Sequence, residues 1–389
     1  MRQINILLWI CAAVVSASGR PAVAGYLLVP DFDKHNVLRY DAATGAFVDT
    51  FVSRKSGGLN QPWNVLIGPH DGDLYVSTGH FRGPGQIKAV LRYDGTTGAF
   101  LDEFVRRGQM DMTHAVMFGP DGNLYVGVRD DEGNMGHPKG GRIARFDGTT
   151  GAFMDDFVPR LSGGLLHPLA HVFGPDGGGN LDLYVTDEDG HDVKRYDGTT
   201  GAFKGVFVAA GTGLISDPLG LTFGPDGNLY VADFGIGAIL RFAGPSSVTP
   251  GAPMPSAGNS GAVFVAPGSG GLLARPLGVI FGPDGNGDGN QDVYVSNITF
   301  TGFYGKDGNV KRYDGLTGAF IDTFVPTGSG GLDDPSLIAF TQTDPVTLQY
   351  LGGPVQHTVI HGVPEPTCVP PIIVAAAAAA AYLRKRRSS

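Results

Sequence analysis

One triplet, ending in valine each time, recurs six times and limits what this chain can fold into. It reads Leu27-Leu28-Val29, Leu74-Tyr75-Val76, Leu124-Tyr125-Val126, Leu183-Tyr184-Val185, Leu229-Tyr230-Val231 and Val293-Tyr294-Val295, at Val-to-Val steps of 47, 50, 59, 46 and 64 residues. An Arg-aromatic pair follows each: Arg39-Tyr40, Arg92-Tyr93, Arg145-Phe146, Arg195-Tyr196, Arg241-Phe242 and Arg312-Tyr313. Next comes Gly-Ala-Phe leading to Phe-Val, as in residues 98–105. A Pro-led apolar run ending in Gly-Pro-Asp-Gly closes the unit, as in residues 218–227. A unit of this length cannot bury its apolar faces alone and must pack on copies of itself.

Each unit holds four short apolar runs separated by turn chemistry. Gly224-Pro225-Asp226-Gly227 suits a type I turn, with Pro second and Gly fourth. Asp-Gly-Thr-Thr-Gly serves between the third and fourth runs. The 62 Gly and 27 Pro in 389 residues are about 16% and 7%, against averages near 7% and 5%. They lack a Gly-X-Y period, which excludes collagen, and at 42% hydrophobic the chain is too apolar for disorder. A mainly helical fold is excluded as well.

We therefore expect an all-β fold, a six-bladed β-propeller of four-stranded blades over residues 25–340. A parallel β-helix would need shorter, more uniform coils, and a sandwich would not need six near-copies. The pattern starts on a second strand at residues 26–29 and stops after a first-strand run at residues 335–340. Pro335 aligns with Pro62, Pro168, Pro218 and Pro276. One blade should thus take its innermost strand from the C-terminal part and three from the N-terminal part, leaving no open edge.

The repeat as it stands in residues 218–233 resembles NHL-type propellers. It is also similar to the superfamily of the streptogramin lyases and the gluconolactonase enzymes. The likeness spans about residues 25–340 and its motif is structural, so it speaks to fold more than to activity. It implies that an enzyme on this scaffold would use a His, as the lyases do, or a carboxylate and amide cluster holding a divalent metal. No ligand of those enzymes is matched residue by residue.

The two ends carry an address. Arg2, the apolar residues 4–15 and Ala22-Val23-Ala24 read as a signal peptide over residues 1–24. At the other end Val363-Pro364-Glu365-Pro366 precedes an Ala-rich apolar stretch and Arg384-Lys385-Arg386-Arg387. That stretch is short for a permanent span, which needs roughly 17–25 apolar residues. Residues 363–389 resemble the PEP-CTERM sorting signal. The resemblance implies recognition by an exosortase-type enzyme, transient membrane anchoring, and release to the cell surface or outside. Residues 341–362 read as a linker. Both cysteines, Cys11 and Cys368, fall in segments expected to be removed. Processing lowers Lys+Arg to 22 against 37 Asp+Glu, a net charge of −15. An acidic chain without basic clusters argues against nucleic acid as a partner.

Candidate sites follow from the repeat. First-to-second and third-to-fourth turns are nearly uniform, whereas second-to-third loops vary. The Val-to-Arg distance is 10 from Val29, Val185 and Val231, but 16, 19 and 17 from Val76, Val126 and Val295. Binding favours the variable face, here residues 77–91, 127–144 and 296–311. Two residues past each Val stand Asp31, Thr78, Val128, Asp187, Asp233 and Asn297. Asp31, Asp187, Asp233 and Asn297 could ring the channel mouth and hold a cation, or simply cap turns at strand ends. His35, His80, His137 and His191 fall in variable loops, and His114 and His171 lie near first strands where they would face the channel.

The sharpest motif is Asp284-Gly-Asn286-Gly-Asp288-Gly289-Asn290-Gln-Asp292, with oxygen side chains at its first, third, fifth and ninth positions. That spacing, with Gly sixth and the Asn290 carbonyl seventh, suits structural calcium. It resembles the short calcium loops of integrin-type propellers; an extended Gly-Asn turn is the plainer reading. Residues 243–262 are expected to form a flexible outer loop without chemistry. The leading functional expectation is a surface or matrix binding module for a polysaccharide or surface protein. A metal-dependent lyase or lactonase with its site at the channel mouth is the alternative, and a structural surface-layer component is a third.

Overall fold

The computed structural model describes residues 25–352 apart from 80–87, 107, 131–139, 272–273 and 300–305. His80, His137, the signal segment and Val363 to Pro366 lie outside the described residues. The chain forms six four-stranded antiparallel sheets, each running from an inner to an outer strand. The second blade, for example, is Pro62–Ile67, Leu74–Thr78, Ala89–Tyr93 and Phe100–Val105. The first blade takes Tyr26–Asp31, Asn36–Asp41 and Phe47–Val52 from one end and Ala339–Phe340 from the other. The expected six-bladed propeller with shared closure is the fold observed. Among the described residues the only helices are single 3-10 turns, and none is long and apolar enough to cross a membrane.

The triplet tyrosine joins neighbouring blades. Tyr75 sits between Phe104 of its own outer strand and Phe118 of the next inner strand, both rings edge-on at 4.9 and 5.1 Å. Tyr125, Tyr184, Tyr230 and Tyr294 repeat this arrangement, the last reaching Phe340 of the C-terminal strand. Each such pair adds about 0.5–1.5 kcal/mol to the burial itself. The first blade has Leu28 instead, and its neighbour correspondingly ends its inner strand with Ile67.

The Arg-aromatic pair divides its tasks. Arg92 binds Asp102 of the adjacent outer strand through Nε and Nη2 at 3.3 and 2.6 Å and lies 5.4 Å from the Phe104 ring centre. Tyr93 reaches the other way and donates its hydroxyl to the Ser56 carbonyl at 2.9 Å. In the Asp-Gly-Thr-Thr-Gly turn, Asp94 accepts the Thr97 N–H at 2.7 Å and Oγ1–H at 2.8 Å. Gly98 completes it at φ +70°, where a Cβ would stand 1.9 Å from the Phe51 carbonyl oxygen of the preceding blade. Both the backbone twist and the close approach require Gly.

Every Pro-led inner strand bulges just after its proline, as the register shift from Pro168 to His171 illustrates. Proline offers no N–H, and the ladder is repaired by a hydroxyl one residue past the triplet Val. Ser77, Thr186 and Ser296 accept the N–H groups of Asn64, Ala170 and Gly278 at 3.1, 3.0 and 2.9 Å.

Two segments are more ordered than their composition suggests. Residues 243–262, expected as a flexible loop, pair Pro253 with Phe242, and the Met254 and Pro255 carbonyls accept from Arg241 at 2.9 and 3.3 Å. They supply the partner that an outer-strand Asp gives Arg elsewhere. Residues 341–352, read as the start of a linker, form a hairpin closed by a Thr343–Tyr350 bridge and an Asp344 turn. Its Pro345 carbonyl accepts the Phe118 N–H of the third blade at 3.2 Å, while Gln291 of the sixth blade donates to the Tyr350 carbonyl at 3.0 Å. A hairpin tied to both of those blades crosses the channel end on the uniform-turn face.

Candidate functional site: the channel mouth

The strand-exit residues come first, because their oxygens are spent on the backbone. Asp31, Thr78, Asp187, Asp233 and Asn297 are fully buried. Asp187 accepts the N–H groups of Leu166, His167 and Gly190 at 2.9, 2.7 and 3.2 Å, and Lys194 Nζ lies 3.1 Å away. Asp233 accepts from Ser216, Asp217 and Ile236 at 2.7, 3.1 and 3.0 Å. Asp31 takes Asp333, Asp334 and Lys34 at 2.8, 3.3 and 3.1 Å, and the Asn297 carbonyl takes Ala274 and Arg275 at 2.9 and 3.1 Å. Each thus braces the loop that enters the inner strand of its own blade. Such a carboxylate has little lone-pair capacity left for a channel ligand.

The histidines separate. His35 accepts the Gln61 N–H at 3.0 Å at a positive φ of 58°, and His191 also turns at positive φ. His171 does not face the channel as expected. It is wedged between the third and fourth blades with Nε2 3.3 Å from the Tyr125 carbonyl, and burial holds its pKa down to about 4. His114 is buried in contact with His167.

Two positions flanking the strand exits vary from blade to blade. One precedes the inner-strand proline: Gln61, His167, Asp217, Arg275 and Asp334. The other follows the strand exit: Phe32, Gly79, Arg129, Glu188, Phe234 and Ile298. They are stitched together by main chain, as Phe32, Glu188 and Phe234 donate N–H to the carbonyls of Asp334, His167 and Asp217 at 2.8, 3.0 and 2.9 Å.

No family model matches this chain, and no curated protein matches it. Among solved structures it is similar to a chain in the crystal structure of a nidogen/laminin complex, at 15% identity over 82% of this chain and 98% of that one, with a TM-score of 0.55. It is also similar to a Bacteroides caccae protein of unknown function, at 13% identity over 82% and 98%, with a TM-score of 0.51. What is shared is the propeller.

His167 anchors the polar half of the mouth. Its Nδ1 lies 2.5 Å from Glu188 Oε2 and 2.8 Å from Arg129 Nη1, and its Nε2 is 3.1 Å from His114 Nε2. Arg129 also pairs with Asp189 at 3.0 Å. Burial opposes charge on His167, but hydrogen bonding to Asp189 and Glu188 outweighs it and the net pKa is raised. His114, His167 and Glu188 thus stand in a short row, with Arg129 beside the same His167 nitrogen as Glu188. Ligand atoms of His167, Glu188 and Asp189 lie within 4.8 Å of one another. That spacing suits a divalent metal, but the Arg129 guanidinium already supplies positive charge there. The apolar half has Phe32 edge-on to Trp63 at 6.3 Å and Arg275 over the half-buried Phe234 ring at 4.7 Å.

Two carboxyls at the mouth are held toward neutrality. Burial, then the charges of Glu188 and Asp233, push Asp217 up to about 6. Burial, then Asp33, Asp31 and Asp333, push Asp334 up to about 8. Asp334 titrates near 3.8 when unfolded, so its contribution to stability is whole below that pH. It drains away as pH rises to about 8, because ionisation then favours the unfolded chain. Asp334→Asn removes this drain. The variant should be more stable than the parent by a few kcal/mol at pH 8 and nearly equal near pH 4. Urea melts at the two pH values check it, and an equal difference at both would refute the assignment.

Proposed function

We propose that the chain is an exported binding module of the cell surface or extracellular matrix, with a neutral polysaccharide seated on the channel mouth. In this reading an exosortase-type enzyme processes the tail around Val363 to Pro366 and frees the propeller. One observation carries it: the half-buried Phe234 is tied by a main-chain bond to Asp217, which feels the charge of Glu188, while Glu188 and Asp189 are held by His167 and Arg129. Aromatic faces stack on sugar rings, and pre-oriented carboxylates accept sugar hydroxyls without a further ordering cost. A net charge of −15 after processing repels acidic polymers and selects for neutral ones. The strand-exit ring supports the same reading, since braces that are saturated by backbone donors favour a rigid platform over a metal-dependent centre.

The enzyme alternative draws on the His114–His167–Glu188 row, in which His167 would act as acid or base in a lyase or lactonase reaction. A glycan array probed with the purified full chain, followed by titration of the strongest neutral hit, separates the two. Phe234→Ala and Glu188→Gln should each weaken binding at least tenfold while the melting temperature holds. A folded chain that finds no glycan defeats the binding proposal, and lactone turnover that disappears in His167→Ala installs the alternative.

A further inference from the structure

A second feature, remote from the mouth, separates one blade from its siblings. In blades two to five the residue before the triplet uses a side-chain oxygen to accept the N–H of the Gly in the neighbouring turn. Asp73, Asn123, Asp182 and Asn228 take Gly95, Gly148, Gly198 and Gly244 at 3.4, 3.1, 3.3 and 3.0 Å. The sixth-blade counterpart, Asp292, is turned into its own loop, where Oδ2 accepts the Gly285 N–H at 2.8 Å. Its Oδ1 is buried and has no hydrogen-bond partner, and the residue is only 1% exposed.

The fourth blade shows how a buried carboxylate at this position is otherwise neutralised. Asp182 lies 2.6 Å from Arg195 Nε and 3.0 Å from Lys204 Nζ. In the sixth blade the lysine position is Ile321, and Arg312 binds Asp322 through Nε at 3.2 Å and through Nη2. A buried carboxylate oxygen without a partner is costly. Here the carboxylate sits against the loop at Gly285, next to Asp284, whose two oxygens accept the Gly287 and Gly289 N–H groups at 2.7 Å; Asn286, Asp288 and the Asn290 carbonyl complete the loop. Asp314 extends the set, accepting from Asn286 Nδ2 at 2.7 Å.

We propose that residues 284–292 form a calcium site, with Asp284, Asn286, Asp288, the Asn290 carbonyl and Asp292 as ligands. All are hard oxygen donors at the spacing a flexible six- to eight-coordinate cation accepts. The ion takes the place of the Lys204 charge of the fourth blade, beside the Arg312 charge that already acts on Asp292. Because Gln291 holds the Tyr350 carbonyl, the same ion firms the anchorage of the C-terminal hairpin. The site works independently of whatever occupies the mouth.

The test uses the full chain stripped of metal by a chelator. Tyr294 donates its hydroxyl to the Pro283 carbonyl at 3.0 Å, beside the loop, and so can sensitise terbium. Terbium emission should appear on titration and be displaced by calcium with a Kd of about 0.1–1 mM, the range of extracellular modules. At 10 mM calcium the folded-to-unfolded ratio should rise about tenfold or more. Asp288→Ala, in the exposed loop, and Asp292→Asn should each lower calcium affinity at least tenfold. Asp226→Ala, in the matching turn of the fifth blade, should keep the parental response. If Asp292→Asn fails to fold, Asp288→Ala decides. A folded parent chain with neither emission nor a calcium-dependent melting shift overturns the site. So does an Asp288→Ala variant that responds like its parent, or an Asp226→Ala variant that loses the response.

Discussion

Ending the chain after Asp334 should leave a molecule with no cooperative folded state, whereas ending it after Gly352 should not. Residues 335–340 supply the inner strand of the first blade, pairing Phe340 with Leu27 and Ala339 with Leu28. Leu337 donates its N–H to the Trp63 carbonyl at 2.9 Å, and Ser336 Oγ donates to the Pro62 carbonyl at 2.9 Å. Leu337, Ile338 and Phe340 are buried, and Phe340 closes the edge-on contact to Tyr294 at 4.9 Å. Burying three such side chains is worth roughly 5–9 kcal/mol, a large part of the 5–15 kcal/mol that typically holds a domain together. Loss also exposes the edge of Tyr26–Asp31 as a template for aggregation. Circular dichroism melts with size-exclusion chromatography check this. A chain ending at Asp334 that melts within a few degrees of the parent would show that the ring stands without its closure.

Asp187→Ala should cost about 3–5 kcal/mol, the range for stranding one member of a buried ion pair. Three backbone N–H groups lose their acceptor, and Lys194, only 3% exposed, loses one of its two carboxylate neighbours. Adding Lys194→Met should recover part of the loss by removing the stranded charge. Asp233→Ala, which strands no lysine, should cost less. Denaturant titrations rank the three variants. If Asp187→Ala keeps its stability within about 1 kcal/mol and instead abolishes ligand binding, the residue serves the mouth and not the brace.

The blade count, the strand order and the exchange of strands between the two ends were all legible because each follows from a periodic signal. Triplet, Arg-aromatic pair and proline recur in fixed order, and Pro335 had four prolines in that order to match and one vacancy to fill. The mouth was harder to read, since the repeat places function where it does not repeat. His167 stands before a proline, and Arg129, Glu188 and Asp189 follow strand exits. They meet only because the third and fourth blades are adjacent and curved. A useful signal was present: the position before the inner-strand proline is polar in every blade that has that proline, as Gln61, His167, Asp217, Arg275 and Asp334 show. Asp187 and Asp233 attracted attention as carboxylates in a ring, but two of the three N–H partners named for each lie 16 to 21 residues upstream and have no side-chain signature. For residues 341–352 the pattern simply stops, although Tyr350 and Val346 are apolar enough to pack.

The exchange of Tyr for Leu28 and of Phe for Ile67 has its own consequence. Five of the six seams carry an interlocking ring contact, and the seam between the first and second blades carries branched aliphatics. The two chain ends meet inside the first blade, where Ala339–Phe340 pairs with Tyr26–Asp31, and the aliphatic seam flanks that same blade. The compliant joint of the disc is one the chain crosses without interruption.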